Sequence, residues 1–317
     1  MRDFREYSPE DIILSNLREN AKRLDALEEQ ELSHLCDLAA EMLSMGDLQE
    51  ILVSLPDHKP QSYEGSGDSL PENIPLLDTL HACARAKQAL LLSDKLCTAL
   101  TEKKGLTTDA IFWDFESVSK DSAVRIVYPK SNYTDSAYLA FSRLLGEPQA
   151  TYTHSFVSAC EEVYNGICDF CILPLENSTE GTLVGFLKLI AKFELKIAAT
   201  CDIESHGEGR LTRFALLRKN LLPFLLEDER DRHFDLLIPN DPPFKLSELL
   251  SAAAFFGISA KAITFLPGDL EEKDAGIYVS LRTQNARLNA FLLYLSMELP
   301  NNVPIGLYPN IQVKGKN

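Results

Sequence analysis

The feature that most constrains the fold is an alternation of strand-like and helix-like segments after residue 123. Short apolar runs are separated by longer stretches that carry apolar residues at three- and four-residue spacing. The pattern predicts, in chain order, a strand at Val124–Tyr128, a helix from about Asp135, a helix at Phe156–Asn165, a strand at Cys168–Leu173, a helix at Thr182–Phe193 and a strand at Lys196–Thr200. Strands that are joined through helices run parallel, so this segment predicts a parallel α/β sheet, with one more strand at residues 211–217.

The segments on either side of this alternation have different periodicities. From Pro9 to Ser54 and from Leu76 to Glu102, apolar residues recur at helical spacing, and a loop rich in Pro, Gly and Ser lies between them. The last segment, residues 234–311, reads as strand, helix, strand, strand, helix, strand, which is typical of a ferredoxin-like unit. We therefore predict a multidomain α and α/β chain: an all-α segment at 1–105, a single parallel α/β lobe at 120–220 and a ferredoxin-like unit at 232–317.

A dense polar cluster follows the predicted strand that ends at Leu173. After Pro174 and Leu175, the chain carries five polar residues and then Gly181; the five are Glu176, Asn177, Ser178, Thr179 and Glu180. In open α/β sheets ligands bind at the carboxyl ends of strands, and Asn and Ser side chains can donate hydrogen bonds to carboxylate oxygens. The cluster therefore indicates a binding site for a small carboxylate. The alternative is a strand-to-helix turn in which Ser178 or Thr179 caps the next helix.

Three short motifs in this region resemble those of one enzyme family. The stretch CILPLENSTEG, residues 171–181, resembles the P-[IL]-E-N-S-x-x-G signature of prephenate dehydratases, and Thr212-Arg213-Phe214 matches their T-R-F motif. Residues 129–137 are similar to the family's first motif, G-P-x-G-T-Y-S-x-x-A, although Tyr128 and Ser131 stand where the family has glycines. The resemblance implies half of a periplasmic-binding-protein-like dehydratase domain, because residues 207–211 replace a whole second lobe of the family.

The resemblance also implies a reaction and a set of site residues. Prephenate would lose CO₂ and hydroxide to give phenylpyruvate, without a metal or an organic cofactor. Thr212 would donate a proton or a hydrogen bond to the leaving hydroxyl, and Asn177 and Ser178 would hold the carboxylates. The remaining implied site residues are Glu176, which would orient its neighbours as a catalytic residue, and the substrate-binding residues Arg213, Thr179, Ser131 and Thr134.

Both ends of the chain carry further resemblances. Leu246 to Phe256, Gly257-Ile258 and Ile305 to Pro309 are similar to an ACT regulatory domain, which implies an amino-acid effector, although the family's G-A-L and E-S-R-P effector motifs are altered here. The N-terminal helices resemble a chorismate mutase module, in which Arg18 and Gln88 would bind substrate and Leu35 replaces a second arginine. The alternative for Arg18 is a solvated helix face.

The amino-acid composition limits the classes of molecule that the chain is expected to bind. The 317 residues include 47 acidic and 31 basic residues, for a net charge of −16, which disfavours nucleic acid and anionic membranes as partners. Because the first residues are charged and no apolar run reaches the roughly 18 residues of a spanning helix, we expect a cytoplasmic protein. Among the seven cysteines, Cys168 and Cys171 form a C-x-x-C pair that we interpret as two small apolar residues in or beside a buried strand.

These patterns leave two functions open and make two structural predictions. The chain is either a working enzyme of phenylalanine biosynthesis, or a catalytically inactive relative that senses a small carboxylate or an amino acid or serves as an assembly partner. We predict a homodimer, because ACT-type units pair with one another and a one-lobed sheet exposes apolar surface. We also predict that Asn177, Ser178 and Thr212 converge at one edge of the sheet.

Overall fold

The computed structural model describes mainly the last two thirds of the chain. The described ranges are 123–204, 209–221, 232–239, 246–267, 276–283, 287–299 and 302–311, together with scattered positions between 18 and 33 and residues 89–98, 101 and 102. The chain divides into two compact units, Met1–Thr107 and Thr108–Asn317. The described residues of the first unit are helical. The module boundaries predicted from the sequence at residues 105, 120, 220 and 232 stay predictions.

The described part of the second unit contains ten strands and five helices. In chain order these are β1 Arg125–Pro129, α1 Asn132–Leu145, β2 Gln149–Thr153, α2 Phe156–Tyr164, β3 Phe170–Asn177, β4 Gly181–Thr182, α3 Val184–Lys192, β5 Lys196–Glu204, β6 Leu211–Arg218, β7 Arg232–Pro239, α4 Leu246–Phe255, β8 Ser259–Leu266, β9 Gly276–Arg282, α5 Leu288–Glu298 and β10 Val303–Ile311. The strands form one mixed sheet in the order β2-β1-β3-β6-β5-β10-β7-β9-β8. The short strand β4 stands outside this order and pairs with β3.

The sequence predicts a parallel sheet for this lobe, but one of its strands is antiparallel to its neighbours. Strand β1 runs parallel to β2 and to β3, but β6 lies between β3 and β5 and is antiparallel to both. The reason is the connection, because residues 205–210 are enough for a hairpin, whereas a parallel crossover needs about a dozen residues or more. The prediction of a purely parallel lobe is therefore wrong at β6.

Strand β3 is longer than its apolar run indicates. The predicted strand ends at Leu173, whereas the observed strand continues through Pro174 to Asn177. A proline cannot donate to a sheet ladder, so within sheets it is found at edges, strand starts and irregularities. Here the pairing of β3 with β6 shifts register between Pro174 and Glu176, which accommodates the proline without ending the strand.

Helices cover both faces of the first half of the sheet. Along β1, Ile126 and Tyr128 belong to the core that α1 covers, and Val127 belongs to the opposite core, beneath α2 and α3. This alternation is the two-residue period of a strand that is buried on both faces. No helix within the described ranges combines the length and the apolar character needed to cross a bilayer. Cys168 and Cys171 are buried free thiols, with Cys171 on β3 and Cys168 just before it.

The second half of the sheet is built from β7, β8, β9 and β10. These strands are antiparallel in the order β10-β7-β9-β8, and the chain passes through α4 and α5 between them. Strand β10 then runs parallel to β5, with Asn310 opposite Thr200 and Ile311 opposite Cys201. Strand β10, the last strand within the described residues, therefore joins the two halves into one sheet.

Candidate functional site

The polar cluster after Leu175 forms a tight hairpin. Asn177 Oδ1 accepts hydrogen bonds from the backbone N–H groups of Thr179, at 2.6 Å, and Glu180, at 3.1 Å. This arrangement is an Asx turn, in which the side chain replaces a backbone carbonyl. Gly181 has a φ of 74°, which a glycine adopts without a steric penalty, and β4 then pairs back with Glu176 and Asn177.

The hairpin rules out one sequence-based alternative. Helix α3 begins at Val184 and has Leu183 at its N-cap, with no hydrogen bond from a side chain at that position. Ser178 and Thr179 therefore do not cap the following helix. Thr179 is an exposed residue of the turn, and its role as a substrate ligand stays a prediction.

Ser178 joins the hairpin to the start of β6. Its backbone N–H donates to the Leu211 carbonyl at 2.8 Å, and its Oγ accepts from the Leu211 N–H at 3.1 Å. One residue further along β6, Thr212 lies directly opposite Asn177 in the β3–β6 ladder, and opposing residues in such a ladder have Cα atoms about 5 Å apart. The structure thus brings Asn177, Ser178 and Thr212 to one end of two neighbouring strands. Their catalytic roles stay predictions.

Arg213 links the two strands that flank β6. The register places it opposite Glu176 on β3 and opposite Asp202 on β5. Its guanidinium donates to Glu176 Oε2 at 2.6 Å and to the two Asp202 carboxylate oxygens at 2.9 and 3.3 Å. The Arg213 side chain is 19% exposed and the two carboxylates are each 32% exposed, so the cluster is partly shielded from water. Arg213 was predicted to bind substrate, and in the structure it already binds two carboxylates of its own chain.

The second half of the sheet contributes to the same cluster. Lys261 on β8 places its Nζ 3.5 Å from Glu176 Oε1. Asn310 on β10 donates from Nδ2 to Asp202 Oδ2 at 3.0 Å, and its Oδ1 accepts from Thr200 at 3.1 Å. Neither Lys261 nor Asn310 belongs to a recognised motif. Their contacts arise because distant segments of the chain pair as strands, so no local sequence signal marks these two residues.

The surrounding hydrogen bonds and charges stabilise the charged forms of both Arg213 and Asp202. Burial alone would raise the pKa of Asp202, but hydrogen bonds from Arg213 and Asn310 and the nearby positive charges outweigh it, so the pKa lies below its ordinary value. Burial would lower the pKa of Arg213, and the hydrogen bond to Asp202 with the negative charges of Glu176 and Asp202 raises it instead. The pair is therefore ionised at neutral pH.

A buried aspartate lies in the second half of the sheet. Asp235 on β7 is 1% exposed, and its Oδ2 accepts hydrogen bonds from the hydroxyl groups of Tyr278 and Tyr308, the latter at 2.5 Å. Burial raises the pKa of Asp235, and the hydroxyl groups around it offset only part of that effect. Asp235 was missed in the sequence analysis. The available signal was a single carboxylate inside the apolar run from Phe234 to Ile238.

The first motif forms the start of α1. Ser131 is the N-cap, and its Oγ accepts from the Thr134 N–H at 3.2 Å while the Ser131 N–H donates to Thr134 Oγ1 at 2.9 Å. Thr134 also donates to the Pro129 carbonyl at 2.7 Å and is almost fully buried. Both hydroxyls thus stabilise the helix start in a capping box, and their substrate-binding role stays a prediction. Arg18 is exposed on a helix of the first unit, and Gln88 lies outside the described residues.

Residues 126–206 match the family model of prephenate dehydratase. The matched range contains β1 to β5 and the hairpin at Asn177, and it ends before Thr212 and Arg213. The sequence-based recognition of a prephenate dehydratase domain is confirmed for this range. The similarity to a chorismate mutase and to an ACT domain stays a prediction.

Three solved structures resemble this chain at low sequence identity. The prephenate dehydratase of Streptococcus mutans is 19% identical, with a TM-score of 0.47, and the match covers 59% of this chain and 99% of that one. The prephenate dehydratase of Arthrobacter aurescens in complex with L-Phe is 16% identical, with a TM-score of 0.45 and coverages of 59% and 90%. A structure described as GqqA, a novel type of quorum quenching acylase, is 18% identical, with a TM-score of 0.41 and coverages of 58% and 94%. A search of curated proteins gave no match.

Proposed function

We propose that the chain is a prephenate dehydratase of phenylalanine biosynthesis that binds its substrate at the ends of β3 and β6. The observation that carries the proposal is the ladder register, which sets Asn177 opposite Thr212 and links Ser178 to the residue before Thr212. The family match over residues 126–206 supports the same assignment. The site residues are thus adjacent through the backbone itself.

The hydrogen bonds of the hairpin define which donors a substrate would meet. Since Asn177 Oδ1 accepts from the turn, the amide Nδ2 group is the part of Asn177 that can donate to a substrate carboxylate. The Thr212 hydroxyl would transfer a proton to the leaving hydroxide. One prephenate dianion and one proton then give one phenylpyruvate anion, one CO₂ and one water, with the threonine reprotonated from solvent.

Arg213 has a positioning role in this proposal. Its charge is already matched by Glu176 and Asp202, so it holds β3, β5 and β6 together beneath the site rather than pairing with the substrate. Within the hairpin itself, Glu176–Thr182, the donors left for a substrate carboxylate are then neutral, mainly the Asn177 amide and backbone N–H groups. Such donors bind a dicarboxylate less tightly than arginine does, so we expect a high KM.

The deciding experiment is a turnover assay of the full chain on prephenate, with phenylpyruvate detected as product. Thr212→Ala should lower kcat by about 10²-fold or more, the usual contribution of a positioned proton donor, and Thr212→Ser should keep most of it. Thr153→Ala is a matched control, because Thr153 is a partly buried residue of the edge strand β2, which β1 and β3 separate from β6. Equal activity of the Thr212 and Thr153 alanine variants would contradict the proposed role of Thr212.

The second candidate is a catalytically inactive carboxylate sensor or assembly partner. It is favoured by the engagement of Arg213 with two carboxylates and of Ser131 and Thr134 with each other. Isothermal titration with prephenate separates the two functions. Binding that depends on Asn177, without turnover of prephenate, would support the sensor.

Three finer assignments complete the proposal. We propose that β7 to β10 with α4 and α5 form an ACT-type unit that takes an amino-acid effector, since the strand order β10-β7-β9-β8 is that of a ferredoxin-like sheet. We also propose a cytoplasmic homodimer, supported by Phe265, which is 68% exposed on the edge strand β8. Light scattering of the native chain and of Phe265→Lys tests the dimer, and a chorismate assay of Arg18→Ala tests the N-terminal module.

A further inference from the structure

A cavity lies at the opposite ends of the strands from the Asn177–Thr212 site. Its volume is about 450 Å³, within the range of small-molecule pockets. It is lined by Lys196 at the start of β5, Lys219 just after β6, and Val303 at the start of β10. The cavity therefore borders the seam at which β10 meets β5, and it is separate from the proposed dehydratase site.

One part of the cavity wall is apolar. Phe193, Leu237, Val303 and Ile305 line it, and Tyr164 adds an aromatic ring. The rings of Tyr164 and Phe193 lie 6.0 Å apart, so the two rings contact each other on this part of the wall. A ligand with a hydrocarbon or aryl body would bury apolar surface here, and that burial is the main favourable contribution to small-molecule binding.

The described residues that line the cavity include more basic than acidic side chains. The charged ones are two lysines, Lys196 and Lys219, and one glutamate, Glu194, within a chain whose net charge is −16. Lys196 is only 9% exposed, and its Nζ is held by a 2.8 Å hydrogen bond to the Pro304 carbonyl. Lys219 Nζ lies 5.6 Å from the centre of the Tyr164 ring. The Lys196 ammonium is thus held in place before a ligand arrives, which lowers the entropic cost of binding, whereas Lys219 is an exposed side chain that a ligand would order.

Glu194 occupies a backbone position that normally favours glycine. It follows α3 with a φ of 51°, in the left-handed region, where residues other than Gly and Asn are uncommon. A side chain retained against such strain is often functional. Glu194 is one of the residues that line the cavity, as are the two lysines.

We propose that this cavity binds a small monocarboxylate with an apolar body, such as an aryl-alkanoate. The carboxylate pairs with Lys196 and Lys219, and the apolar body packs on Leu237, Val303 and Ile305. A purely apolar ligand would bury the two cations without a counter-charge, and a purely polar anion would leave the apolar wall without a contact. Glu194 provides a second carboxylate that can receive an ammonium group, so an α-amino acid shares the required chemistry.

The proposal is tested by calorimetry on the full chain with four probes. We expect 3-phenylpropanoate to bind, and acetate, which lacks the apolar body, and 2-phenylethylamine, which lacks the carboxylate, not to bind. L-phenylalanine distinguishes the two sources of the carboxylate, since it binds only if Glu194 accepts its ammonium group. Affinity should fall as salt is raised, because the ion pairs with the lysines are screened.

Two variants localise the binding to the cavity. Lys219→Met should weaken binding of 3-phenylpropanoate about tenfold, and Val303→Phe should abolish it by filling the cavity. Lys192→Met is the control, since Lys192 also lies over an aromatic ring, 5.8 Å from the centre of Phe193, but does not line the cavity. The proposal is overturned if neither 3-phenylpropanoate nor L-phenylalanine binds at millimolar concentration. It is also overturned if 2-phenylethylamine binds as tightly as 3-phenylpropanoate, or if the two cavity variants bind 3-phenylpropanoate as tightly as Lys192→Met does.

The result is independent of the dehydratase assignment. Thr212→Ala, at the other end of β6, should leave the affinity for 3-phenylpropanoate unchanged. A loss of binding in Thr212→Ala together with normal binding in Lys219→Met would place the ligand at the Asn177 hairpin and exclude the cavity.

Discussion

Arg213→Met is the most informative perturbation of the second unit. The substitution keeps an apolar stem of similar length and removes the guanidinium that three hydrogen bonds attach to Glu176 and Asp202. Two of these bonds are short, at 2.6 and 2.9 Å. A hydrogen bond to a charged group contributes about 1.5 to 3 kcal/mol, and the lower value applies here because each carboxylate is one third exposed.

Counting only the two short bonds, at about 1.5 kcal/mol each, the expected loss is about 3 kcal/mol of the free energy of unfolding, or roughly 6 to 12 °C in Tm for a unit of this size. Thermal unfolding followed by circular dichroism measures it. Arg125→Met is a matched control, because Arg125 and Asp169 are 3.9 Å apart and each about half exposed, and such a pair is worth less than about 1 kcal/mol. Arg213→Lys should fall between the two, since it keeps the charge and loses the forked geometry.

The same variant has a defined effect on acid unfolding. The folded-state pKa of Asp202 is lowered, so its contribution to stability is present above the ordinary aspartate pKa and is lost as the pH falls through the folded value. Arg213→Met should remove most of this acid-dependent part, and combining it with Asp202→Asn isolates the coupling of the pair. A Tm for Arg213→Met equal to that of Arg125→Met would refute the reasoning.

Three other substitutions give sharp expectations. Because burial raises the folded-state pKa of Asp235, wild-type stability should fall as the pH rises through that raised value, and Asp235→Asn should lack this dependence in urea unfolding at a series of pH values. Gly306→Ala should cost about 1 to 3 kcal/mol in the same assay, because its Cβ would lie 2.5 Å from the Ile197 carbonyl oxygen. Gly185→Ala should instead stabilise the chain by about 0.5 kcal/mol, since it is helical with no atom within 4 Å of the new Cβ, and a loss there would contradict the packing.

The sequence predicts the strands and helices that carry a clear period. The segments around β1, α1, α2, α3 and β5 have apolar residues at two-, three- or four-residue spacing and were found with small errors at their ends. Strand β2 was missed because Gln149–Thr153 is a largely exposed edge strand that lacks an apolar run. The direction of β6 was missed because a sequence pattern defines a strand but does not give its orientation.

The residues of the candidate site likewise include some that the sequence predicts and some that it does not. The motifs identify Asn177, Ser178 and Thr212 as neighbours, and the ladder register places them together. Asp202 and Asn310 carry no motif, and their contact with each other follows from pairing between β5 and β10. Such pairs depend on tertiary structure, so single-sequence reasoning has no local signal from which to infer them.

The contact between β5 and β10 also determines the order in which the chain can fold during synthesis. Thr200 and its partner Asn310 are 110 positions apart, so β5 leaves the ribosome long before its neighbour exists. Until then, β5 is the terminal strand of a partial sheet, and its unpaired backbone groups can pair with a strand of another nascent chain. We expect translation arrested before residue 303 to yield aggregates or chaperone-bound chains, because the backbone groups of β5 are then still without β10.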